Sequence, residues 1–165
     1  MMQRLVVESP LGPLVLRGDH DALVGLAFAR RGAAYGGDEG GVAGDAARRL
    51  SEYFAGSRSG FELPLRFERG SAFERRVWNA LLEIPYGATT TYGELATALG
   101  EPGAARAVGA ANGRNPIAII VPCHRVIGAG GRLTGYGGGL PRKRALLALE
   151  GAAAADASRS PQLSF

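Results

Sequence analysis

The sequence is poor in the side chains that build disulfides and zinc sites, with a single cysteine, Cys123, and only two histidines, His20 and His124. One cysteine excludes an internal disulfide, and three such residues are too few for a closed zinc site of cysteine and histidine ligands. We therefore expect no metal and no other cofactor. A free thiol also fits a reducing compartment.

Long apolar runs are absent as well. No stretch approaches the ~20 apolar residues that cross a bilayer, and the N-terminus has no basic region followed by an apolar stretch and a cleavage site. These absences predict a cytoplasmic protein without a membrane partner. The Gly-x-x-x-x-Gly-Lys signature is also missing, which disfavours a phosphate cradle.

Lysine is nearly absent, since every one of the 19 basic residues except Lys143 is arginine. Arginine binds phosphate bidentately and stacks on bases. Residues 1–70 hold nine basic and nine acidic side chains, whereas residues 71–165 hold ten and six, so the net charge of +4 lies in the C-terminal part. On its own, such a modest excess is more typical of a solvated surface than of a nucleic-acid partner.

With 165 residues, the chain can form one well-cored domain or two small ones. The N-terminal part is predicted to form a three-stranded antiparallel meander. Its strands are apolar or β-branched and are separated by turn residues: residues 4–9, 14–17 and 23–29. A glycine-rich loop over residues 31–44, a helix over residues 45–55 and an edge strand over residues 63–67 follow. Nothing catalytic stands out, and His20 is predicted to be an exposed turn residue.

The C-terminal part contains two helix-start signals. Ser71 is followed three residues later by Glu74, which is the pattern of a capping box. Thr91 and Glu94 repeat this pattern. The second of these helices and a third one over residues 103–111 are joined by a glycine-containing turn, which is the layout of a helix-turn-helix.

The third helix is unusual because Arg106 and Val108 are its only large side chains. An ordinary helix is ~10–12 Å across with its side chains, whereas the minor groove of DNA is ~6 Å wide. Only a helix stripped to alanine and glycine could press closely into that groove. The alternative is an alanine- and glycine-rich helix packed tightly inside a core.

Cys123 lies near the end of the run Asn-Pro-Ile-Ala-Ile-Ile-Val-Pro-Cys-His-Arg-Val, residues 115–126. The β-branched residues predict a strand that delivers Cys123 to the rim of a core. A lone cysteine is often only a small buried hydrophobe, and a reactive one needs a base or a positive charge beside it. His124 and Arg125 are candidates for both. Because neighbouring side chains of a strand point to opposite faces, we expect a bend at Pro122 or a bridging water between Cys123 and His124.

A carboxylate lies at an unfavourable place in the last predicted helix, which begins at Pro141 and ends at Gly151. Glu150 occupies its final turn, where the helix dipole disfavours a negative charge. This position indicates a tertiary partner for Glu150. The preceding segment, residues 128–139, is glycine-rich around Tyr136 and is predicted to be a mobile loop with one aromatic anchor.

Together these elements predict two domains followed by a tail. The first domain covers residues 1–70 and ends in a linker, and the second covers residues 71–151. The remaining residues, 152–165, are rich in alanine and serine and are predicted to be disordered.

These motifs resemble the O6-alkylguanine-DNA alkyltransferases, also called methylated-DNA–protein-cysteine methyltransferases. The resemblance covers residues 71–151 and rests on five short motifs: Pro122-Cys123-His124-Arg125-Val126, Ala105-Arg106-Ala107-Val108-Gly109, Asn115-Pro116, Tyr136 and Glu150. The N-terminal part is similar only in layout to the family's ribonuclease-H-like domain. The resemblance implies an α/β (α+β) fold in which this small domain precedes a helical domain with a winged-helix-like helix-turn-helix.

The resemblance also implies a reaction. Cys123 would attack the alkyl carbon on O6 of a guanine, or on O4 of a thymine, and keep the alkyl group permanently. Glu150, His124 and a water would form a relay that makes the thiolate. Tyr92 would donate its hydroxyl proton to N3 of the leaving guanine, and Asn115 would brace the turn that aims Cys123. A thiolate cannot reach a base inside a duplex, so the nucleotide must flip out.

For recognition, the resemblance implies that Arg106 fills the stack left by the flipped nucleotide. Further contacts are implied for two sets of residues: Ala105, Gly109 and Arg125 for DNA, and Tyr136, Gly137 and Val126 for the substrate base. The backbone of Val126 and of the loop near Gly137 would read the base edges. Some relatives carry serine where Gly137 stands, so this loop should be looser and accept larger alkyl groups. The expected partner is double-stranded DNA containing O6-alkylguanine, bound by a monomer.

Two other functions stay open. A non-enzymatic damage-recognition protein would bind alkylated DNA without the cysteine chemistry, and a Cys-His hydrolase would need an oxyanion hole and would turn over repeatedly. The last residues, Gln162-Leu163-Ser164-Phe165, loosely resemble peptides that bacterial repair proteins dock on the sliding clamp. The alternative is a disordered tail without a partner.

Overall fold

The computed structural model describes residues 1–152. It divides into two compact units: the first comprises Met1–Arg69 and Pro116–Ala118, and the second comprises Gly70–Asn115 and the residues from Ile119 onward. The predicted class, an α/β fold with an N-terminal meander and a helical second part, is confirmed. None of the helices among the described residues is long and apolar enough to cross a membrane.

The first unit is built on an antiparallel sheet. Its three predicted strands follow one another as a meander: β1 (Gln3–Val7), β2 (Leu14–Gly18) and β3 (Leu23–Phe28). Leu5, Leu16 and Leu26 are neighbours across these strands, and all three are buried. Because side chains alternate along a strand, these leucines form one face of the sheet, and a helix of the same unit packs on the sheet.

Three features of this unit differ from the prediction. β4 (Gly36–Gly37) pairs with β1 inside the segment predicted to be a loop, which gives the strand order β3-β2-β1-β4. The helix, α1 (Gly41–Phe54), begins one turn earlier than predicted because small apolar residues before the predicted start are also buried. The predicted edge strand is reduced to a single parallel bridge between Leu65 and Leu23.

The second unit is mainly helical. Its helices and strands are, in chain order, α2 (Ala72–Leu81), β5 (Thr90–Thr91), α3 (Tyr92–Ala98), α4 (Ala105–Gly113), β6 (Val126–Ile127) and α5 (Leu140–Leu149). β5 and β6 form a short parallel pair. Both predicted capping boxes are present, at Ser71 and at Thr91, so α2 and α3 begin where the sequence predicts.

α4 is the second helix of the predicted helix-turn-helix, and it packs on both α3 and α2. Its Val108 and Ala111 are buried, and the buried Trp78 of α2 donates its indole N–H to the carbonyl of Ala111 at 2.8 Å. Arg106 instead is exposed. The helix therefore has one packed face and one outward face, which excludes the alternative of a fully enclosed core helix.

The predicted start of the C-terminal tail, at Ala152, is one residue too early. The tail is predicted to start at Ala152, but this alanine is buried and packs with Ile127 and Leu147. The prediction is wrong here because a small apolar side chain just past a helix end can still join the core. Residues 153–165, with the predicted clamp-binding peptide, lie outside the described residues.

Candidate active site

Cys123 lies in a tight turn rather than at the end of a strand. Residues 115–121 form turns and bends with a single isolated bridge at Ile117, and the buried Ile119 has a left-handed backbone with a φ of 71°. That conformation is a genuine outlier for a β-branched residue. The strand prediction is therefore wrong, because the β-branched residues of this segment signal burial and not an extended backbone.

Pro122 makes the bend that the sequence predicts. Its backbone (φ −82°, ψ 63°) and the hydrogen bond from Cys123 N–H to Val121 O at 2.8 Å form an inverse γ-turn. A 3₁₀ turn over Cys123–Arg125 follows at once. The side chain of Asn115 donates to Val121 O at 2.7 Å. Asn115 therefore lies where a residue that braces this turn would lie.

A buried ion-pair network lies beside the turn. The carboxylate of Glu150 accepts a hydrogen bond from His124 Nε2 at 2.8 Å. It also accepts from Arg125 Nε at 2.8 Å and from Arg125 Nη2 at 2.9 Å, so that pair is bidentate. All three side chains are buried. The tertiary partner that the position of Glu150 predicts is thus present.

Arg125 does not face outward as a DNA-binding residue would. It is 7% exposed, and besides the two bonds to Glu150 its guanidinium donates to Ile84 O at 2.6 Å. The prediction of a DNA contact for Arg125 is therefore wrong. A guanidinium held by a buried carboxylate and a carbonyl cannot grip a phosphate without breaking costly buried bonds.

The end of α5 fixes the position of Glu150. Gly151 has a φ of 78°, its N–H donates to Ala148 O at 3.1 Å, and Ala152 N–H donates to Leu147 O at 2.9 Å. These two bonds form a Schellman motif, which needs a left-handed residue just after the helix cap. Glu150 is that cap residue, so its carboxylate is held just past the last turn.

The network sets the protonation states of the site. Burial lowers the pKa of His124, in spite of the bond to Glu150 that raises it, so the imidazole is neutral. Burial also opposes ionisation of Glu150, but His124 and Arg125 outweigh it and hold the pKa of this carboxyl well below its usual range. A neutral imidazole that donates through Nε2 has Nδ1 as an acceptor. His124 Nδ1 is buried and has no hydrogen-bond partner within the described part of the chain.

The thiol of Cys123 is protonated at rest. It is 6% exposed, and burial raises its pKa. A hydrogen bond from Asn115 and the charge of Lys143 act in the opposite direction, without offsetting burial. A buried thiol of this kind is inert until a base takes its proton. His124 Nδ1 is an unused acceptor in the neighbouring residue.

Lys143 is a residue of the site that the sequence analysis missed. It lies in α5, is fully buried and donates to three carbonyl oxygens, those of Val126 at 2.6 Å, Thr134 at 2.7 Å and Gly135 at 3.2 Å. Burial lowers its pKa to about 8. An ammonium presents three donors from one atom, which a planar guanidinium does not. The available signal was that this is the only lysine in the chain.

Two tyrosines lie near the sulfur. Tyr92, the first residue of α3, is half-buried and its hydroxyl donates to Thr134 O at 3.3 Å. Burial raises the pKa of Tyr92 and that of Tyr136, and a charge on Cys123 adds to both shifts, as it would for rings close to the thiol. Gly137 is exposed, and a Cβ added there would meet no atom within 4 Å.

The outward face of α4 lies next to Tyr92. A Cβ added at Gly109 would be 3.7 Å from the Tyr92 ring. Ala105 and Gly109 are half-buried, whereas Arg106 is exposed. These three predicted DNA-binding residues therefore lie on one helix, and Gly109 among them lies close to Tyr92, the residue predicted to donate a proton. Val126, predicted to read the base, is buried, and its N–H donates back to the carbonyl of the cysteine turn.

Comparison with known proteins identifies both parts of the chain. Residues 72–152 match the family model described as 6-O-methylguanine DNA methyltransferase, DNA binding domain, and residues 2–67 match the ribonuclease-like domain of the same family. A methylated-DNA–protein-cysteine methyltransferase of Mycobacterium tuberculosis is 52% identical over 154 residues, which cover 91% of this chain and 93% of that protein. One of Methanosarcina acetivorans is 50% identical over 155 residues, which cover 91% of this chain and 99% of that protein.

Solved structures agree with this match over the whole fold. The crystal structure of Mycobacterium tuberculosis O6-methylguanine methyltransferase superimposes with a TM-score of 0.82 at 52% identity, covering 92% of this chain and 93% of that one. Mycobacterium tuberculosis OGT in complex with DNA gives a TM-score of 0.81 at 52% identity, covering 94% of this chain and 93% of that one. The chain belongs to the 6-O-methylguanine DNA methyltransferase family.

Proposed function

We propose that the chain repairs DNA by transferring the alkyl group of an O6-alkylguanine in double-stranded DNA to Cys123. The observation that carries this proposal is a buried free thiol next to a neutral histidine whose Nε2 is held by Glu150, while Nδ1 has no partner within residues 1–152. A protonated thiol and an unused base beside it are the two parts of a base-activated nucleophile. The similar proteins of Mycobacterium and Methanosarcina are named for such a transfer.

In this proposal, residues of the site account for each proton transferred and for each bond formed or broken. The proton of the Cys123 thiol passes through a bridging water to Nδ1 of His124, and Glu150 stabilises the imidazolium that forms. The thiolate attacks the alkyl carbon, so that an S–C bond forms while the C–O6 bond breaks. The bonding electron pair leaves with the guanine, which takes a proton at N3 from Tyr92, and Tyr92 regains its proton from the imidazolium through solvent. The thioether is stable, so each chain accepts one alkyl group.

Tyr92, Tyr136, Gly137 and Val126 are the residues proposed to act on the flipped base. Burial raises the pKa of Tyr92, so this hydroxyl keeps its proton at neutral pH and is available as a donor. In the proposed complex, Tyr136 and the backbone at Gly137 and Val126 would contact the base. Asn115 braces the cysteine turn through its bond to Val121 O.

In this proposal the protein acts as a monomer, since one chain holds every residue of the relay. It acts in the cytoplasm, where reducing conditions keep the thiol free.

The reaction requires a base that has left the duplex. The sulfur of Cys123 is buried, and a stacked base cannot approach a buried nucleophile. Arg106, exposed on the slim helix α4, fills the stack that the flipped nucleotide leaves. Ala105 and Gly109 let this helix approach the groove closely. O4-alkylthymine, whose alkyl carbon projects from the equivalent edge of the base, is the second substrate in this proposal.

Intact-mass spectrometry after incubation with O6-methylguanine DNA tests the proposed function. The wild-type chain should gain one methyl group, on Cys123, and then stop. Cys123→Ala should gain nothing yet bind DNA nearly as tightly, because groove contacts rather than the nucleophile hold the duplex. Unmodified wild-type protein on damaged DNA would favour a damage-recognition protein instead, and repeated turnover without a mass change would favour a hydrolase.

Arg106→Ala tests the extrusion step. If Arg106 offsets an unstacking cost of roughly a few kcal/mol, the variant should repair duplex DNA ~10-fold or more slowly. It should react with O6-benzylguanine in solution at close to the wild-type rate, because a free base needs no flipping. A contact to phosphate alone would weaken binding to every sequence alike and lower the salt slope by about one unit. Equal slowing on both substrates would contradict the extrusion role.

A further inference from the structure

Asn112 is a buried polar residue that neither the relay nor the pocket uses. It lies in the last turn of α4 and is 5% exposed. Its Nδ2 donates to Cys123 O at 3.3 Å, whereas its Oδ1 is buried and has no hydrogen-bond partner in the part of the chain that the structure describes. A buried amide with an unmet acceptor is unfavourable for stability. An apolar residue would therefore serve a purely structural role better at this position.

The orientation of this amide follows from hydrogen-bond chemistry. A carbonyl oxygen only accepts, so the group that faces Cys123 O must be the NH₂ of Asn112. Exchanging the oxygen and the nitrogen would set two acceptors against each other. The atom without a partner is therefore the oxygen, and the useful half of the side chain is the half that contacts the nucleophile's own backbone.

Two asparagines hold the cysteine turn, one at each end. Val121 O accepts from Cys123 N–H and from the side chain of Asn115. Cys123 O accepts from Val126 N–H and from the side chain of Asn112. Both lone pairs of each carbonyl are thus engaged. The orientation of the backbone that carries the Cys123 side chain depends on both contacts.

We propose that Asn112 is a positioning residue for the alkyl transfer, which ties the Cys123 turn to α4, the helix that carries Arg106. Because Asn112 and Arg106 belong to one rigid helix, its contact with Cys123 O keeps the nucleophile in register with the helix that presents the DNA-facing side chain. A misplacement of the reacting atoms by about 1 Å can slow a reaction ~100-fold. The inference rests on the proposed function and adds a residue to it.

Asn112→Leu is the test, because leucine has the same branched arrangement of side-chain heavy atoms and removes the donor together with the unpartnered acceptor. The maximal rate constant for alkylation by O6-benzylguanine should fall ~10-fold or more. The concentration of O6-benzylguanine at half-maximal rate and the Kd for DNA should change by less than about twofold, because neither binding surface is altered. Tm should stay unchanged or rise, since an unsatisfied buried group is lost.

Val108→Ala is the matched control on the same helix. Val108 is fully buried and makes no polar contact with the cysteine turn, so this variant should lower Tm while the folded protein alkylates at close to the wild-type rate. Asn112→Ala, which cannot clash, repeats the measurement if the leucine variant does not fold.

Three results would overturn the proposal: a rate constant of Asn112→Leu within about twofold of wild type, an equal loss of rate in Val108→Ala, or a fall in Tm as large as that of Val108→Ala. Failure of the proposed function itself is distinguishable from these results. In that case the wild-type protein would gain no alkyl group in the mass spectrum.

Discussion

Replacing Glu150 by glutamine removes one charge from the relay and keeps the shape of the side chain. The hydrogen bonds that Glu150 accepts include one from His124 and two from Arg125. Glutamine accepts only at its single oxygen, so its NH₂ group would have to face an N–H of one of these partners. The buried guanidinium of Arg125 would lose its carboxylate.

The loss of stability in Glu150→Gln can be estimated from the burial of the ion pair between Glu150 and Arg125. Removing one partner of a buried ion pair costs about 3–5 kcal/mol. In a protein of this size, each kcal/mol shifts Tm by about 2–4 °C, so we expect a Tm lower by about 6–20 °C. With a total stability of about 10 kcal/mol, the middle of the usual range, the variant would keep at least about 5 kcal/mol and could be assayed in its folded state at room temperature.

The same substitution should also slow alkylation. His124 accepts the thiol proton in the proposed relay, and in Glu150→Gln the imidazolium would lose the charge that stabilises it. The apparent pKa of the Cys123 thiol should therefore rise. We expect the pH–rate profile with O6-benzylguanine, measured in single-turnover mode from roughly pH 6 to 9, to move to higher pH, with a slower reaction at neutral pH.

Arg125→Met is the matched control because it breaks the same ion pair from the other side. Besides burial, the positive charge of Arg125 lowers the pKa of His124. Its removal should make His124 a better base and move the profile to lower pH, although Tm falls as it does in Glu150→Gln. Profiles that move in the same direction in both variants, or an unmoved profile in Glu150→Gln, would refute the relay.

Acid titration gives an independent check of the network. The folded pKa of Glu150 lies below its ordinary value of 4.5, so the contribution of the ion pair is complete above about pH 4.5 and is lost as the pH falls further. The stability difference between wild type and Glu150→Gln should shrink in that acid range. The folded pKa of His124 lies below its ordinary value of 6.5, so both proteins should lose stability as the pH falls below that value.

Two further substitutions test the glycine-rich loop. Lys143→Met leaves three carbonyls without their donor and should lower the free energy of unfolding, measured in urea, by about 2–5 kcal/mol. A variant as stable as wild type would show that these three hydrogen bonds do not stabilise the loop. Because the folded pKa of Lys143 is about 8 and its ordinary value is 10.5, wild type should gain stability relative to this variant as the pH rises between those values. Gly137→Ser should change the free energy of unfolding by less than about 0.5 kcal/mol, since a Cβ there meets no atom within 4 Å. Competition between O6-methylguanine and O6-benzylguanine should show a lower tolerance for the larger group in this variant, and unchanged selectivity would argue against a looser loop.

Elements governed by local chemistry follow from the sequence. The capping boxes at Ser71 and Thr91 need only a partner three residues away, and both are formed. The bend at Pro122 needs little more than the fixed φ of the proline ring. The meander of the first unit likewise follows from short apolar segments separated by turn residues.

Elements governed by distant partners do not follow from the sequence. Residues 115–121 look like a strand, but Leu26 N–H donates to Pro116 O and Ala118 N–H donates to Leu26 O, so only a single bridge forms in that segment. Arg125 is indistinguishable in the sequence from an arginine that binds phosphate, because its partner Glu150 lies 25 residues further on. The unfavourable position of Glu150 at a helix end predicts a positively charged or hydrogen-bonding partner, but it does not identify His124 and Arg125 as the partners.

Because the Cys123 thiol is protonated at rest, the pH dependence of alkylation tests the proposed relay better than the pKa of the resting thiol does. A preformed, exposed thiolate would react with oxidants and with any electrophile it meets, whereas burial raises the pKa of this thiol and keeps it protonated. The nearby base is a neutral His124, so no permanent positive charge of that residue holds a thiolate. Titration of the free thiol would therefore report its burial together with the Asn115 hydrogen bond and the charge of Lys143. The pH dependence of alkylation instead reports the moment at which the proton leaves the sulfur, because that is the step to which Glu150 and His124 contribute in the proposed mechanism.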